Sequence, residues 1–174
     1  SVTVYRNELS NMITDRWLSD TVQLTRQYQN IASASVYGID FLSKQKIFNG
    51  LWLSMGYSYV HSYDNETQLQ LYGTTKNSGN IAADYNFRKK NYSFTAQIYC
   101  KLMGEKFYEI TPDGISHDRP FSTWRITFSQ EYKWLRISTG LDNIFNVIIP
   151  QNLDFISPGR RFFIGMNIDF GKIK

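Results

Sequence analysis

The chain has 174 residues, of which 16% are aromatic and 20% charged, with a formal net charge of +4. No stretch approaches the ~18 to 20 consecutive apolar residues of a spanning helix, which excludes a helical membrane protein but leaves a barrel open, since a barrel's wet and greasy faces average out along the sequence. The basic residues are scattered and no stacking motif accompanies them, which argues against nucleic acid, and the single cysteine, Cys100, excludes an internal disulfide or a thiolate metal cluster.

Large apolar residues alternate with small or polar ones along most of the chain. Successive side chains of a strand point to opposite faces, so this pattern predicts about eight strands, each with one apolar and one polar face. The first covers residues 2–12. The second, 32–42, sets Tyr37, Ile39 and Phe41 against Gly38 and Asp40. The third, 51–61, sets Leu51, Leu53, Met55, Tyr57 and Tyr59 against Trp52, Ser54, Gly56 and Ser58. The fourth, 80–88, sets Ile81, Ala83, Tyr85 and Phe87 against Asn80, Ala82, Asp84 and Asn86. The fifth, 92–103, has Phe94, Ala96, Ile98, Cys100 and Leu102 on one side, which makes Cys100 a small apolar residue. The sixth, 123–132, sets Trp124, Ile126 and Phe128 against Arg125 and Thr127. The seventh, 135–143, sets Leu135, Ile137 and Leu141 against Arg136, Gly140 and Asp142. The eighth, 160–170, is the clearest: Phe162, Ile164, Met166, Ile168 and Phe170 form the apolar set and Arg161, Phe163, Gly165, Asn167 and Asp169 the other.

Connections at 43–50, 89–91 and 133–134 are short, and those at 13–31, 62–79, 104–122 and 145–159 are long. Short turns at one rim and long loops at the other, with aromatics near strand ends, match an outer-membrane barrel whose apolar set meets lipid and whose polar set meets a wet lumen. The long rim is then extracellular and the C-terminus periplasmic. A soluble sandwich would bury the same rings, but it needs a second sheet, and nothing divides the strands into two sets. The chain begins within an apparent strand, without an initiator Met, which favours a C-terminal piece of a longer protein.

Asp40, Asp84, Arg125, Arg136, Asp142, Asn167 and Asp169 are the lumen-facing candidates, and Arg125 and Arg136 are expected to pair with Asp142 and Asp169 across neighbouring strands. Asp142-Asn143 and Pro158-Gly159-Arg160 carry turn chemistry. Tyr63, Tyr72 and Tyr108, in or beside long loops, could stack on a sugar or an aromatic chelator, and His117 could ligate a heme or metal, although a solvated loop histidine is the simpler account. His61 sits near a strand end. No nucleophile elbow, paired-histidine helix or phosphate loop occurs, so neither an enzyme nor a bound cofactor is expected.

Gly140-Leu-Asp-Asn-Ile-Phe-Asn146 resembles the penultimate-strand motif of TonB-dependent outer-membrane receptors. Ser157-Pro-Gly-Arg160 and the run to Phe170 resemble their last loop and closing strand. Ala34-Ser-Val-Tyr-Gly-Ile-Asp40, with Asp where Glu is commoner, and Leu53-Ser-Met-Gly-Tyr-Ser-Tyr59 resemble two earlier strands. The chain departs at its end, continuing as Gly171-Lys-Ile-Lys174 beyond the terminal aromatic. The resemblance implies an all-β, antiparallel transmembrane segment of about eight strands from a plugged barrel of twenty-two. Residues 1–174 would be the C-terminal part of the barrel, without the plug domain and the earlier strands. It further implies import of a scarce nutrient (an iron chelate, heme, cobalamin or oligosaccharide) with energy from the TonB complex. The plug, outer-membrane lipid and the barrel assembly machinery are the other implied partners. A complete eight-stranded outer-membrane barrel with a structural or adhesive role is the alternative, and a soluble all-β binding protein the third possibility.

Overall fold

The computed structural model describes residues 1–20, 23–71, 73–111, 114–148, 150–151, 155–156 and 158–172. The strands are β1 (Val2–Asp20), β2 (Gln23–Phe48), β3 (Leu51–Asp64), β4 (Asn77–Lys89), β5 (Tyr92–Met103), β6 (Lys106–Thr111), β7 (Gly114–Asp118), β8 (Phe121–Tyr132), β9 (Leu135–Asp142), β10 (Pro150–Gln151), β11 (Phe155–Ile156) and β12 (Arg161–Ile168). A 3-10 turn, Phe170–Lys172, follows. Eight of them form one sheet in the order β1-β2-β3-β4-β5-β8-β9-β12, while β6 with β7 and β10 with β11 make two-stranded hairpins. The eight expected strands are therefore present, and neighbours in the sheet are neighbours in sequence apart from the two loop hairpins.

Several bounds differ from expectation. β2 continues to Phe48 through most of the short connection expected at 43–50, and β3 reaches Asp64 and β4 starts at Asn77 within the expected loop 62–79, so Tyr63 lies in a strand. Residues 13–31 were assigned to a long loop, yet β1 and β2 continue far into it and pair from Val2↔Phe41 to Asp20↔Gln23. The alternation that identifies a half-buried strand fades there, because a ladder of backbone bonds does not require an apolar face. The last strand ends at Ile168, so Asp169 lies beyond it and Phe170 lies in the 3-10 turn.

Two compact units make up the chain. The first holds residues 1–41, 58–78 and 104–120; the second holds 42–57, 79–103 and 121–174. In the first, β1 and β2 run antiparallel with Tyr5 opposite Gly38. A Cβ on Gly38 would come within 2.5 Å of the Tyr59 carbonyl oxygen and 2.6 Å of the Tyr5 hydroxyl, so glycine is what lets the neighbouring backbone and the Tyr5 side chain approach this closely.

The second unit shows the two faces most clearly. One row across β5, β8, β9 and β12 reads Ile98, Ile126, Leu141, Phe162; the next reads Ala96, Phe128, Thr139, Ile164. The opposite face carries Thr95, Ser129, Ser138, Gly165 and, nearer the turns, Ser93, Glu131, Arg136, Asn167. The apolar face has no cover: Phe162, Ile164 and Met166 are 70%, 71% and 70% exposed. Ala34, Ala82 and Cys100 are the buried apolar residues among those described. A water-soluble sheet would bury such a face against a second layer, so this one is made for a non-aqueous surrounding. Short turns join β2 to β3, β4 to β5 and β8 to β9, with Gly50 (φ +90°), Lys90 (φ 48°) and Lys133 (φ 54°) supplying left-handed backbone.

Candidate functional site

The polar face is the candidate site, and its centre is Asp142 at the end of β9. Register places Arg125 of β8 and Arg161 of β12 on either side of it. Arg125 donates from Nε and from one terminal nitrogen to the two carboxylate oxygens, each at 3.1 Å, and Arg161 donates at 2.6 Å. One carboxylate thus cross-ties three strands. Planar guanidinium groups suit this bidentate geometry, and at half-exposed positions each pair contributes about 0.2–1 kcal/mol.

The rest of the face is a lattice of short polar links. Arg136 donates to Glu131 across β8 and β9, Ser129 and Ser138 lie 3.1 Å apart, Gln97 donates to Asp84, and Thr95 donates to Asn86 at 3.1 Å. In the first unit Ser58 donates to Asp40 at 2.5 Å. Asp40, Asp84, Arg125, Arg136, Asp142 and Asn167 therefore share the polar set of their strands. The expected Arg125–Asp142 pair forms. The expected Arg136–Asp169 pair does not: Arg136 takes Glu131 instead, and Asp169, beyond the strand, accepts from the Gly171 amide at 3.1 Å. Its own amide donates to the Trp134 carbonyl.

Arg161, Glu131 and Phe163 were not singled out beforehand. Arg161 becomes visible once the hairpin register is known, because it then stands directly opposite Asp142. Phe163 is an apolar residue on the polar face; its ring lies over Gly140, its cross-strand partner, where a Cβ would collide with it.

Beyond β9 the chain turns through Asn143 (φ 50°) and Asn146 (φ 54°). The Asn143 amide oxygen accepts from the Val147 N–H at 2.8 Å and its amide nitrogen donates to the Val147 carbonyl at 2.8 Å. Asn146 accepts from the Arg160 N–H at 2.8 Å, which fixes where β12 begins. Asparagine is suited to both jobs, since it tolerates left-handed backbone and bonds nearby main chain.

In the first unit Tyr63 meets His61 edge-on at 5.2 Å, and His61 stacks on Tyr37 at 4.8 Å. Odd-numbered positions of β3 from Leu51 carry this set, so Tyr63 shares alternation with Met55 and Tyr57. On the paired strands Arg6 lies opposite Tyr37 and Glu8 opposite Ser35, with Arg6 2.7 Å from Glu8 and the Ser35 hydroxyl donating to Glu8 at 2.6 Å. A cavity of about 540 Å³ opens among the long connections, lined by Gln70, Lys76, Glu105 and Phe107. The main chains of Tyr108 and His117 lie in the β6–β7 hairpin, where Phe107 pairs with His117; their side chains, and Tyr72, fall outside the described residues. On the apolar edge Phe162, Ile164, Met166 and Ile168 alternate as expected, and Phe170, in the 3-10 turn, is 77% exposed.

The family described as TonB dependent receptor-like, beta-barrel, matches residues 1–144. Among curated proteins none matches. Solved structures similar to the chain include a G324V variant of the ferric enterobactin receptor PfeA of Pseudomonas aeruginosa, at TM-score 0.73 and 20% identity, covering 97% of this chain and 28% of that one. The siderophore receptor PirA of Acinetobacter baumannii is similar at TM-score 0.69 and 16% identity, covering 97% and 29%. BauA, the ferric preacinetobactin receptor of Acinetobacter baumannii, is similar at TM-score 0.73 and 11% identity, covering 97% and 27%. The chain spans less than a third of the length of these structures. It belongs to the TonB-dependent receptor β-barrel family.

Proposed function

From that membership we propose that this chain is the C-terminal third of the barrel wall of an outer-membrane nutrient receptor of a Gram-negative bacterium. The observation that carries this is the uncovered apolar face of the second unit backed by a set of polar cross-strand pairs, in a chain whose family is that of receptor barrels. Lipid meets the Phe162–Ile168 face. The plug domain docks on the opposite face of the second unit, where Arg125, Asp142, Arg161 and Asp84 offer fixed charges and acceptors; in the first unit Asp40 is the corresponding candidate. The barrel assembly machinery inserts the strands, and the TonB complex supplies energy through the plug.

A ferric siderophore is the preferred cargo, supported by the similarity to the receptors for ferric enterobactin and ferric preacinetobactin. Heme, cobalamin and oligosaccharides are the competing classes. Tyr72, Tyr108 and His117 are the proposed cargo contacts on the long-loop side, whereas Tyr63, in β3 and on the alternation of Met55 and Tyr57, is the weaker candidate. The test is uptake of labelled ferric siderophore by a Gram-negative host that lacks its own receptors and expresses the full-length protein, with and without functional TonB. Uptake that survives loss of TonB, or preferential binding of another nutrient class, overturns the corresponding part of the proposal.

A further inference from the structure

The short-turn rim carries a charge pattern that the transport role does not use. The last turn-ward stretch of β2 carries Lys44 and Lys46, the end of β4 carries Arg88 and Lys89, the β4–β5 turn holds Lys90, and the β8–β9 turn holds Lys133. No Asp or Glu occurs within 43–50, 88–91 or 132–134. The long connections mix signs instead, with Glu66 and Lys76, Glu105 and Lys106, Asp118 and Arg119.

The basic turns are physically joined. Lys133 N–H donates to the Asn91 carbonyl at 2.9 Å, and Asn86 N–H donates to the Gly50 carbonyl at 2.8 Å. A cavity of about 640 Å³ opens at this rim, lined by Arg88, Lys90, Asn91, Tyr92 and Lys133. Glu131 also borders it, but that carboxylate is held by Arg136. Among the described residues, Arg88, Lys89, Lys90 and Lys133 form no ion pair.

Two further observations point to a ligand. Lys90 and Lys133 occupy left-handed backbone, at φ 48° and 54°, where asparagine or glycine is the less strained occupant. The charge is thus placed against local backbone preference. The apolar face also ends here in rings: Phe87 and Tyr92 lie 6.3 Å apart, Tyr92 is opposite Tyr132, and the Lys133 ammonium stands 5.4 Å over the Tyr132 ring. Aromatic rings with lysines just beyond them mark the headgroup level of a bilayer.

We propose that the short-turn rim binds the headgroups of anionic glycerophospholipids, with Arg88, Lys90 and Lys133 as the phosphate contacts. This rests on the membrane-spanning role above. The aromatic side admits acyl chains, and the cavity offers cations without a competing free carboxylate.

The test uses the full-length receptor in neutral detergent, titrated with phosphatidylglycerol or phosphatidylcholine, with retained lipids counted by native mass spectrometry. The wild type should retain phosphatidylglycerol in preference to phosphatidylcholine. The variant Lys90→Asn/Lys133→Asn, which removes charge while relaxing the turns, should lower that preference by roughly tenfold or more, given the attraction expected per cation near an anionic surface. Lys76→Asn/Arg119→Asn, on the long connections, should leave it unchanged. Equal retention of the two lipids, an unchanged preference in the rim variant, or full displacement of phosphatidylglycerol by millimolar inorganic phosphate overturns the proposal. A receptor that inserts in membranes but shows no lipid preference refutes the rim alone, whereas one that needs no detergent refutes the membrane role itself. If the double variant fails to assemble, single Lys90→Asn and Lys133→Asn proteins decide by the same count.

Discussion

At the scale of single residues, the polar face depends on a few positions with one acceptable occupant. Gly140 sits beneath the Phe163 ring, and a Cβ there would also come within 2.7 Å of the Ile126 carbonyl. Gly140→Ala should therefore lower stability by roughly 1–3 kcal/mol, as overpacking does. Adding Phe163→Ala should recover part of the loss but not all, because the backbone contact to Ile126 stays. The midpoint of urea unfolding of the refolded receptor measures both, and full recovery in the double variant would show that the ring alone dictates glycine. Asn143 is a different case, since its side chain bonds main chain while its backbone is left-handed. Asn143→Gly keeps the backbone and loses the bonds; Asn143→Ala loses both. The expected order of stability is wild type, then Gly, then Ala, with about 1 kcal/mol or more lost at the first step. This residue lies in the motif Gly140-Leu-Asp-Asn-Ile-Phe-Asn146, whose Asp ties three strands while its two asparagines set the turn.

At the scale of elements, β12 tests the face assignment most simply. Asp at Ile164 or Met166 places a charge on the face shared with Thr139 and Ile137, whereas Asp at Gly165 or Asn167 places it beside Ser138 and Arg136. A lipid-facing Arg or Lys costs ~2–4 kcal/mol at mid-bilayer and Asp somewhat less, so the first pair should impair assembly much more than the second. The fraction of heat-modifiable receptor in outer membranes reports this; equal losses would remove the two-faced description. The same strand shows why much of the sheet was legible from sequence. Where one face must be apolar, the period of two is written into residues such as Phe162, Ile164 and Met166. It was not legible where neither face is constrained, as along the β1–β2 extension, whose pairing is backbone-driven. Charge partners were half legible: Arg125 and Asp142 could be matched by face, but Glu131 carried no signal as a partner for Arg136, and only the register and the end of β12 at Ile168 put Glu131 rather than Asp169 against it. The proposed cargo contacts were least legible, because residues of the long connections such as Tyr72 and His117 carry no periodic signal.

At the scale of the whole sheet, β1 and β12 stand at the two ends of the strand order. An edge strand presents unpaired N–H and C=O groups, and in hydrocarbon each unsatisfied group costs several kcal/mol. β12 has little of the protection that edges usually carry, since Phe162 to Ile168 is flat alternating sequence with no proline and a single glycine. The polar lattice does not compensate, because Arg161–Asp142 ties β12 inward to β9 and leaves its outer edge free to pair. Residues 1–174 expressed alone should therefore associate through these edges in detergent rather than stay monomeric. A proline at Gly165 should weaken that association if the N–H at that position points to the open edge, and should disrupt β12 if it points to β9. Light scattering separates the outcomes, because the first lowers the mean mass and the second does not. A segment that remains monomeric with both edges intact would mean that its ends close on each other, which would revive the complete eight-stranded barrel as the better description.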